Sequence, residues 1–343
     1  MTYSFYVGCY TKEPQDKGLH LLSLNTNTGA LQLENSYHAG ESPSFLIRSG
    51  DFLYAANEIR GIGKVSAFSV NSAKDLAYLN SREAAGGITC HVAEMNGFLY
   101  AANYSNGSIF GVEILQDGSL GKIVSEIQHE GSGPNQGRQK GPHAHSTNPI
   151  PHDNLLIAAD LGADKLFCYR QHSDGSLVPD SVFPAVCAPS GGGPRHLALH
   201  PDGKRIYAVM ELGVSIVCYN LSQAGLKQEG VYPLCEDAFT DSDSAADIHF
   251  AAGGTRLYAS IRGKNLISAF SVSGDGSLQF IGCYPTFGES PRNFCFSPDE
   301  KFTLIAHQIS GEVVVCPVDP QTGVVGDALS CITLPGSSCV INA

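Results

Sequence analysis

The chain has 343 residues, of which 43% are hydrophobic and 38 are glycine, a composition that provides for a large core in a turn-rich, all-β protein. It contains no run of about eighteen apolar residues, which disfavours a membrane span. Residues 1–4 lead into a strand without the basic and apolar stretch of a signal peptide, so we expect a cytoplasmic protein. The formal net charge of −12 disfavours nucleic acid and anionic membranes as partners. Binding of an anionic small molecule would require a local concentration of cationic side chains.

A short apolar strand followed by a tight turn occurs seven times in the chain. The second positions of the seven copies are residues 6, 54, 100, 157, 207, 258 and 304, so successive copies lie 46 to 57 residues apart. A period of about fifty residues with several short strands per period is typical of a β-propeller blade. The copies are Phe5–Cys9, Leu53–Asn57, Leu99–Asn103, Leu156–Asp160, Ile206–Met210, Leu257–Ile261 and, in degraded form, Thr303–His307.

Further strand and turn signals complete each repeat. Asp-Gly pairs at residues 117–118, 174–175 and 275–276 indicate tight hairpin turns, because glycine readily adopts the positive φ that such turns require. With the strand after the hairpin, each repeat contains four strands, and no helical periodicity exceeds two turns. The strands that follow the repeated strands are predicted at residues 65–70, 109–114, 166–171, 216–221, 267–272 and 313–318, and the first strands of four blades are predicted from Pro43, Pro142, Pro194 and Pro291.

The two ends of the chain predict how the ring closes. The chain begins with the second strand of a blade and ends with a lone first strand, residues 335–341. Pairing this strand with residues 3–9, as the innermost strand, completes the seventh blade and leaves no unpaired inner edge. We therefore predict one domain over residues 1–343, an all-β, seven-bladed β-propeller with four-stranded antiparallel blades, closed by the C-terminal strand in the N-terminal blade.

The eleven cysteines are predicted to be structural. Three of them occupy a repeat position that other blades fill with alanine or glycine, which indicates a slot for a small buried side chain. No C-x-x-C pair occurs, which disfavours a zinc site or a disulfide framework. The three are Cys168, Cys218 and Cys316, and their counterparts are Ala67, Gly111 and Ala269.

Polar residues gather where the predicted first strands begin. In a propeller these strands line the central channel, and the loops at one mouth form the usual ligand site, although a fold alone does not establish a function. Four consecutive blades place His, Arg or Asp there, and clustered ionisable groups are costly unless they pair or bind a ligand. The four segments are Gly141–His145, Gly193–His196, Ala246–His249 and Ser290–Asn293; the residues that follow the repeated strands are Tyr10, Glu58, Tyr104, Leu161, Glu211, Arg262 and Gln308.

A structural role is the alternative for these residues. Polar residues in a wet channel are in many cases only solvated, and an Asp247–His249 pair can tie neighbouring blades together. Asp160 is expected to cap its turn through side-chain hydrogen bonds. The longest interval between copies contains a glycine-rich insertion, residues 131–140, which is either a lid or rim of the site or a tolerated surface insertion.

These motifs resemble the lactonase family of seven-bladed propellers, which contains bacterial propeller-type 6-phosphogluconolactonases and fungal carboxy-cis,cis-muconate lactonising enzymes. The resemblance covers essentially the whole chain, and it implies an active centre formed by a His, two Arg and a Glu, without a metal or organic cofactor. Met210 departs from the pattern, because the family usually has asparagine before the glutamate, and the last full blade, at residues 306–308, conforms poorly. The motifs that carry the resemblance are residues 141–145, 159–164, 193–197, 247–249 and 257–263.

The resemblance implies hydrolysis of a sugar lactone, above all of 6-phosphogluconolactone to 6-phosphogluconate in the pentose phosphate pathway. The alternatives are a muconate-type lactonising or cycloisomerase enzyme, another lactonase, and a non-enzymatic binding scaffold. The scaffold is disfavoured because no apolar patch stands out in the loops. The expected partner is a small anionic sugar lactone, bound by a monomer or a weak homodimer.

Lactone hydrolysis assigns roles to these residues. Water attacks the ring carbonyl, so Arg195 or Arg262 is expected to stabilise the oxyanion, and the other to hold a phosphate or carboxylate. His145 or Glu211 is expected to be the general base. The predicted catalytic residues are His145, Glu211, Arg195 and Arg262, and the predicted substrate-binding residues are His143, His196, Asp247, His249 and Arg292.

Overall fold

The computed structural model describes residues 1–343, with only the backbone described at Pro151. The described residues form 29 strands and two short 3-10 helices, η1 (Pro151–Asp153) and η2 (Ala252–Gly254). Neither helix is long and apolar enough to cross a membrane. The strands pair into seven antiparallel sheets, each with a path of four strands. The predicted fold class, an all-β seven-bladed propeller with four-stranded antiparallel blades, is confirmed.

The sheet that holds both chain ends comprises β1 (Thr2–Cys9), β2 (Leu19–Asn25), β3 (Leu31–Tyr37) and β29 (Ser337–Asn342), with β29 beside β1. The next three sheets comprise β4 (Pro43–Ser49), β5 (Phe52–Asn57), β6 (Gly63–Val70) and β7 (Leu76–Ala84); β8 (Thr89–Met95), β9 (Phe98–Asn103), β10 (Ser108–Ile114) and β11 (Leu120–Gln128); and β12 (Ala144–Ile150), β13 (Leu155–Asp160), β14 (Lys165–Gln171), β15 (Leu177–Pro179) and an added β16 (Ala185–Cys187). The last three comprise β17 (Pro194–Leu199), β18 (Arg205–Met210), β19 (Ser215–Ser222) and β20 (Gly225–Pro233); β21 (Ser244–Ala251), β22 (Arg256–Arg262), β23 (Leu266–Val272) and β24 (Leu278–Pro285); and β25 (Pro291–Phe296), β26 (Phe302–His307), β27 (Glu312–Pro317) and β28 (Ser330–Thr333).

By its internal packing the chain divides into two compact units. Unit 1 consists of Met1–Tyr10, Leu19–Ser36 and His196–Ala343, and unit 2 consists of Thr11–Gly18 and Tyr37–Arg195. Each unit has apolar clusters of its own, formed where the inner faces of neighbouring sheets pack together. The prediction of a single domain over residues 1–343 stays a prediction.

The tyrosine at the second position of the repeat joins successive sheets within each unit. Its ring is buried, and its hydroxyl donates a hydrogen bond to a glycine carbonyl in the hairpin of the next sheet. Gly118, one of these glycines, has a φ of +80°, and a Cβ there would lie 2.0 Å from the Phe52 ring, so both the turn and the packing require glycine. The four pairs are Tyr54–Gly118 at 3.1 Å, Tyr100–Gly175 at 2.7 Å, Tyr207–Gly276 at 2.7 Å and Tyr258–Gly323 at 3.0 Å.

The polar residue that ends the repeated strand holds the loop that leads into its own sheet. Asn57 donates from Nδ2 to the carbonyl oxygens of Ala39 and Glu41, at 3.0 and 2.8 Å. Asp160 accepts the backbone N–H groups of His143 and Ala163 on Oδ1, both at 2.8 Å. The predicted capping role of Asp160 is confirmed. The polar residue at the end of the repeated strand thus positions the loop before the first strand of its sheet, where candidate site residues lie.

Two predicted first strands begin later than the sequence indicates. β12 begins at Ala144 and not at Pro142, because the N–H of His143 bonds to the Asp160 side chain and not to a neighbouring strand. β29 begins at Ser337 and not at residue 335, because Gly336 turns the chain with a φ of +74°. The predicted pairing of the C-terminal strand with β1 is confirmed.

All eleven cysteines are free, and the predicted small slot is buried. Cys168, Cys218 and Cys316 are at most 1% exposed. Burial raises the pKa of Cys168 and of Cys316 to about 12, so neither thiol is ionised at neutral pH. These cysteines therefore pack as small apolar side chains.

Candidate active site

In unit 2, Tyr104 and two of the predicted histidines form one aromatic cluster. The Tyr104 ring stacks on His143 with ring centroids 4.6 Å apart, and it meets His145 edge-on at 5.5 Å. Nδ1 of His143 lies 2.7 Å from the backbone oxygen of Tyr104. Because a carbonyl oxygen only accepts, Nδ1 carries the proton and Nε2 of the neutral ring is an acceptor. The sequence placed Tyr104 after a repeated strand but did not assign it to the site.

His145 and Arg195 lie near the beginnings of β12 and β17, where proline and glycine end the preceding loops. His145 is 4% exposed, and the Cys90 thiol lies 3.4 Å from its backbone oxygen and 3.8 Å from its Nδ1. Arg195 is 1% exposed, and it is among the largest fully buried side chains of the described residues. Burying a guanidinium this deeply costs free energy unless hydrogen-bond acceptors compensate its charge. Buried charged groups of this kind are typical of functional sites.

Asp164 positions the segment that leads to Arg195. Its carboxylate accepts the N–H groups of Gly191 and Gly193, at 2.6 and 2.8 Å. The same carboxylate accepts Nε2 of Gln139 at 2.6 Å. One buried side chain therefore holds both the approach to β17 and the insertion 131–140. Sequence reasoning missed this role, although Asp164 closes the motif 159–164.

The insertion 131–140 is anchored to unit 2 by Gln139. This side chain is fully buried; Nε2 also donates to the Leu161 carbonyl at 2.8 Å, and Oε1 accepts the N–H of Asn135 at 3.1 Å. The neighbouring Arg138 donates from Nη2 to the Tyr104 hydroxyl at 3.0 Å. Contact with the aromatic cluster favours a rim of the site over a tolerated surface insertion.

In unit 1, Glu211 and Arg262 form a buried ion pair. Oε2 of Glu211 lies 3.1 Å from Nη2 of Arg262, and Glu211 is 3% exposed. Nη2 of Arg262 also donates to the Ala245 carbonyl at 3.2 Å, and the Ala245 N–H donates to the Glu211 carbonyl at 3.1 Å. Arg262 is the last residue of β22 and not the first after it. The pair ties this strand end to the segment between β18 and β19.

Also in unit 1, Asp247 joins three neighbouring first strands. Its Oδ1 binds Nδ1 of His196 at 2.7 Å, and its Oδ2 binds Nε2 of His249 at 2.7 Å and Nδ2 of Asn293 at 2.5 Å. Oδ1 of Asn293 in turn accepts the N–H of Val340 at 2.7 Å. The network therefore runs through β17, β21, β25 and β29. Among the described residues, no group of three or more His, Cys, Asp or Glu side chains is arranged to hold a metal ion.

The strand register separates this network from Arg262. Ser244 pairs with Arg262, whereas His249 pairs with Tyr258, four residues earlier in β22. At roughly 3.3 Å per residue, that spacing is about 13 Å. The geometry favours the blade-tying alternative for Asp247 and His249, and the assignment of His196, Asp247 and His249 to substrate binding stays a prediction.

Arg292 lies close to two residues that follow repeated strands in unit 1. Its Nη1 is 3.4 Å from Oε1 of Gln308, and its guanidinium carbon is 5.6 Å from the centroid of the Tyr10 ring. A guanidinium over an aromatic face is a favourable cation–π arrangement. The structure thus places Arg292 beside Tyr10, near the beginning of β25.

Replacing Asp247 by asparagine is expected to lower the free energy of unfolding by about 3 kcal/mol, because it removes the carboxylate charge with which the buried partners of Asp247 pair. Desolvation opposes the charged forms, but the ion pair outweighs it: the pKa of Asp247 is lowered well below its usual value, and that of His249 is raised. Stability from Asp247 is present above its unfolded pKa of about 3.9, and stability from His249 is lost as pH rises from about 6.5 through its folded pKa. Urea unfolding at pH 6 and pH 8.5 covers the range in which the contribution of His249 is lost, while that of Asp247 is present at both pH values.

The His249 side chain is 42% exposed, so solvent screens the pair and the effect of pH is moderate. We expect Asp247→Asn to flatten the decrease in stability between these two pH values. His249→Gln is the matched control, since it keeps a donor to Asp247 but not the charge; it should flatten the pH dependence with a smaller loss of stability. An unchanged pH dependence in both variants would contradict this account of the network.

The chain is similar to proteins of known sequence and structure over almost its whole length. The family described as "Lactonase, 7-bladed beta-propeller" matches residues 4–342. The chain is 32% identical to a protein named 6-phosphogluconolactonase from Bacillus subtilis, over 98% of this chain and 97% of that protein. It is 33% identical to a protein of the same name from Formosa agariphila, over 93% of each chain. A solved structure of the periplasmic gluconolactonase of Pseudomonas aeruginosa has a TM-score of 0.94 and 28% identity, covering 100% of this chain and 99% of that one. The chain belongs to the lactonase family of seven-bladed β-propellers.

Proposed function

We propose that this protein is a carboxylic ester hydrolase that converts 6-phosphogluconolactone to 6-phosphogluconate. The observation that carries the proposal is a concentration of cationic and imidazole side chains at the strand entrances of unit 2, in a chain whose net charge is −12. Full-length relatives at 32–33% identity that bear the name 6-phosphogluconolactonase support this choice of substrate. The residues of this concentration are His143, His145 and Arg195.

In the proposed reaction, water attacks the ring carbonyl carbon of the lactone. His145 accepts the water proton, a C–O bond forms, and the negative charge on the carbonyl oxygen is stabilised by Arg195 or Arg262. The bond to the ring oxygen then breaks, and His145 returns the proton to the departing alkoxide.

We assign the base to His145 because Glu211 is already engaged. Its carboxylate is paired with the Arg262 guanidinium, with Oε2 3.1 Å from Nη2. Glu211 is therefore a positioning residue that orients Arg262. Imidazole is the side chain that most often serves as a general base, and His145 contacts the ring of Tyr104 in the aromatic cluster.

A second candidate substrate is an unphosphorylated sugar lactone. The similarity to the Pseudomonas aeruginosa gluconolactonase favours it. The muconate-type reaction and the binding scaffold are the remaining alternatives. All four possibilities differ in which lactone, if any, is turned over.

The purified protein is expected to accelerate loss of 6-phosphogluconolactone well above its spontaneous hydrolysis, and to do so in the presence of EDTA. A pH-stat measures the acid released, and a panel of phosphorylated, unphosphorylated and muconate-type lactones defines the substrate class. A heat-denatured sample is the control for spontaneous hydrolysis. If a folded sample accelerates none of these reactions, the proposed function is wrong and a binding scaffold is favoured.

We further propose a cytoplasmic protein that acts as a monomer or weak homodimer, on a small anionic lactone and not on nucleic acid. Eleven free cysteines, of which Cys187 and Cys331 are exposed, suit a reducing compartment. Light scattering of the purified protein tests the oligomeric state.

A further inference from the structure

We propose that Arg138, on the insertion 131–140, binds the phosphate group of the substrate and makes the enzyme selective for phosphorylated over unphosphorylated sugar lactones. This inference rests on the proposed lactone hydrolysis and deepens it, since neither the family nor the site residues identified from the sequence assign a function to Arg138. It is carried by the anchoring of the insertion, by the position of Arg138 on the aromatic cluster, and by local charge.

The anchoring makes Arg138 a defined group and not a mobile surface side chain. Gln139, the next residue, is fully buried and bonds to Leu161 and Asp164. The turn before it is closed by hydrogen bonds from the N–H groups of Arg138 and Gln139 to the Asn135 carbonyl, at 3.2 and 2.7 Å. The backbone of Arg138 is therefore held in place before any ligand binds, which lowers the entropy cost of recognition.

Tyr104 connects Arg138 to the proposed general base. Arg138 bonds to the hydroxyl end of Tyr104 at 3.0 Å, while the ring of Tyr104 contacts His143 and His145. A sugar 6-phosphate lactone has its reacting carbonyl at C1 and its phosphate, which does not react, at C6, so the two ends are recognised by separate groups. With the carbonyl beside His145, a substrate lying along Tyr104 presents its phosphate to Arg138.

Local charge favours an anion at this place. Within residues 129–145 the only acidic residue is Glu130, whereas Arg138 and Lys140 are cations. The carboxylates of Asp160 and Asp164, which pack against this segment, are bonded to His129 and Gln139, at 2.7 and 2.6 Å. Arg138 is exposed to solvent, so a dianion can reach it without crossing the core. The guanidinium fork matches two phosphate oxygens at once, which a lysine ammonium does not do.

The test compares two substrates, 6-phosphogluconolactone and glucono-1,5-lactone, in wild type and in Arg138→Ala. We expect kcat/KM for the phosphorylated lactone to fall about tenfold or more, mainly through a higher KM, because a phosphate contact is made in both the ground state and the transition state. For the unphosphorylated lactone, kcat/KM should stay within about twofold of wild type. Arg138→Lys should give an intermediate loss, because it keeps charge but not the fork.

Lys140→Ala is the matched control, since Lys140 is an exposed cation on the same loop, two residues away. Lys140→Ala should change kcat/KM for both substrates by less than about threefold if the guanidinium of Arg138, and not the charge of the loop in general, recognises the phosphate. Equal losses for both lactones in Arg138→Ala, no loss at all, or the same selective loss in Lys140→Ala would overturn the proposal. A wild-type enzyme that hydrolyses lactones without preferring the phosphorylated one also overturns it while leaving lactonase activity intact. A wild type that hydrolyses neither lactone refutes the proposed function itself.

Discussion

Deletion of the last nine residues, 335–343, is expected to make the protein insoluble or to lower its melting temperature by about 10 °C or more. These residues contain β29, which supplies the first strand of its sheet and pairs with β1 from Phe5 to Cys9. Cys339 and Val340 are fully buried, and the N–H of Val340 donates a hydrogen bond to Oδ1 of Asn293. The loss is expected to be global, because the deletion exposes a strand edge and leaves buried polar atoms without partners.

Differential scanning fluorimetry and size-exclusion chromatography measure the outcome of this deletion. Removal of Ala343 alone is the control, because it shortens the chain and leaves β29 complete. A truncated protein that is soluble, monomeric and as heat-stable as the parent would show that β29 is dispensable and that closure through β1 is not what holds this sheet.

Arg195→Lys is expected to lower kcat/KM for the lactone by roughly tenfold or more, with little change in the folded state. Arg195 is 1% exposed, so its guanidinium acts in a water-poor environment where donors of fixed geometry stabilise developing charge most strongly. Lysine keeps the charge but loses the planar fork with its several donors. Steady-state kinetics with near- and far-ultraviolet circular dichroism as folding checks would measure the change.

Cys168→Ala is the control substitution, because Cys168 is fully buried in the small slot opposite Ile157. Burial raises the pKa of its thiol to about 12, so it does not serve as a nucleophile at neutral pH. Activity should remain near that of wild type. Loss of activity in a folded Cys168→Ala protein would refute the structural role of this cysteine, and full activity in Arg195→Lys would remove Arg195 from the proposed catalytic set.

The strands and turns were predictable because their signals are local in sequence. Alternation of apolar and polar residues reports which face of a strand is buried, and Asp-Gly pairs report the positive φ of hairpin turns, as at Gly118. The two late strand beginnings were not predictable, because each depends on a local detail that the repeat does not encode. The side chain of Asp160 takes the N–H of His143, and Gly336 turns the chain with a φ of +74° before β29 begins.

Candidate site residues were predictable by type and by position along the repeat, but not by partner. The sequence placed Glu211 and Arg262 directly after equivalent repeated strands, and the structure joins them at 3.1 Å. Tyr104 has the same position in the repeat, but nothing in the sequence indicated its partners, nor those of Gln139 and Asp164. Their roles come from contacts between residues 25 to 39 positions apart, such as the bond from Gln139 to Asp164 and that from His143 to the Tyr104 carbonyl.

The sequence by itself determined the seven-fold repeat, the four-stranded antiparallel blades and the pairing of the chain ends, because period, turn chemistry and strand order are properties of the chain. Only the tertiary structure decided which polar groups bind one another. Asp247 takes His196 from one side and Asn293 from the other, 51 and 46 residues away. Buried polar atoms must all find partners, and which partners are within reach depends on how neighbouring sheets pack and not on any pattern along one strand.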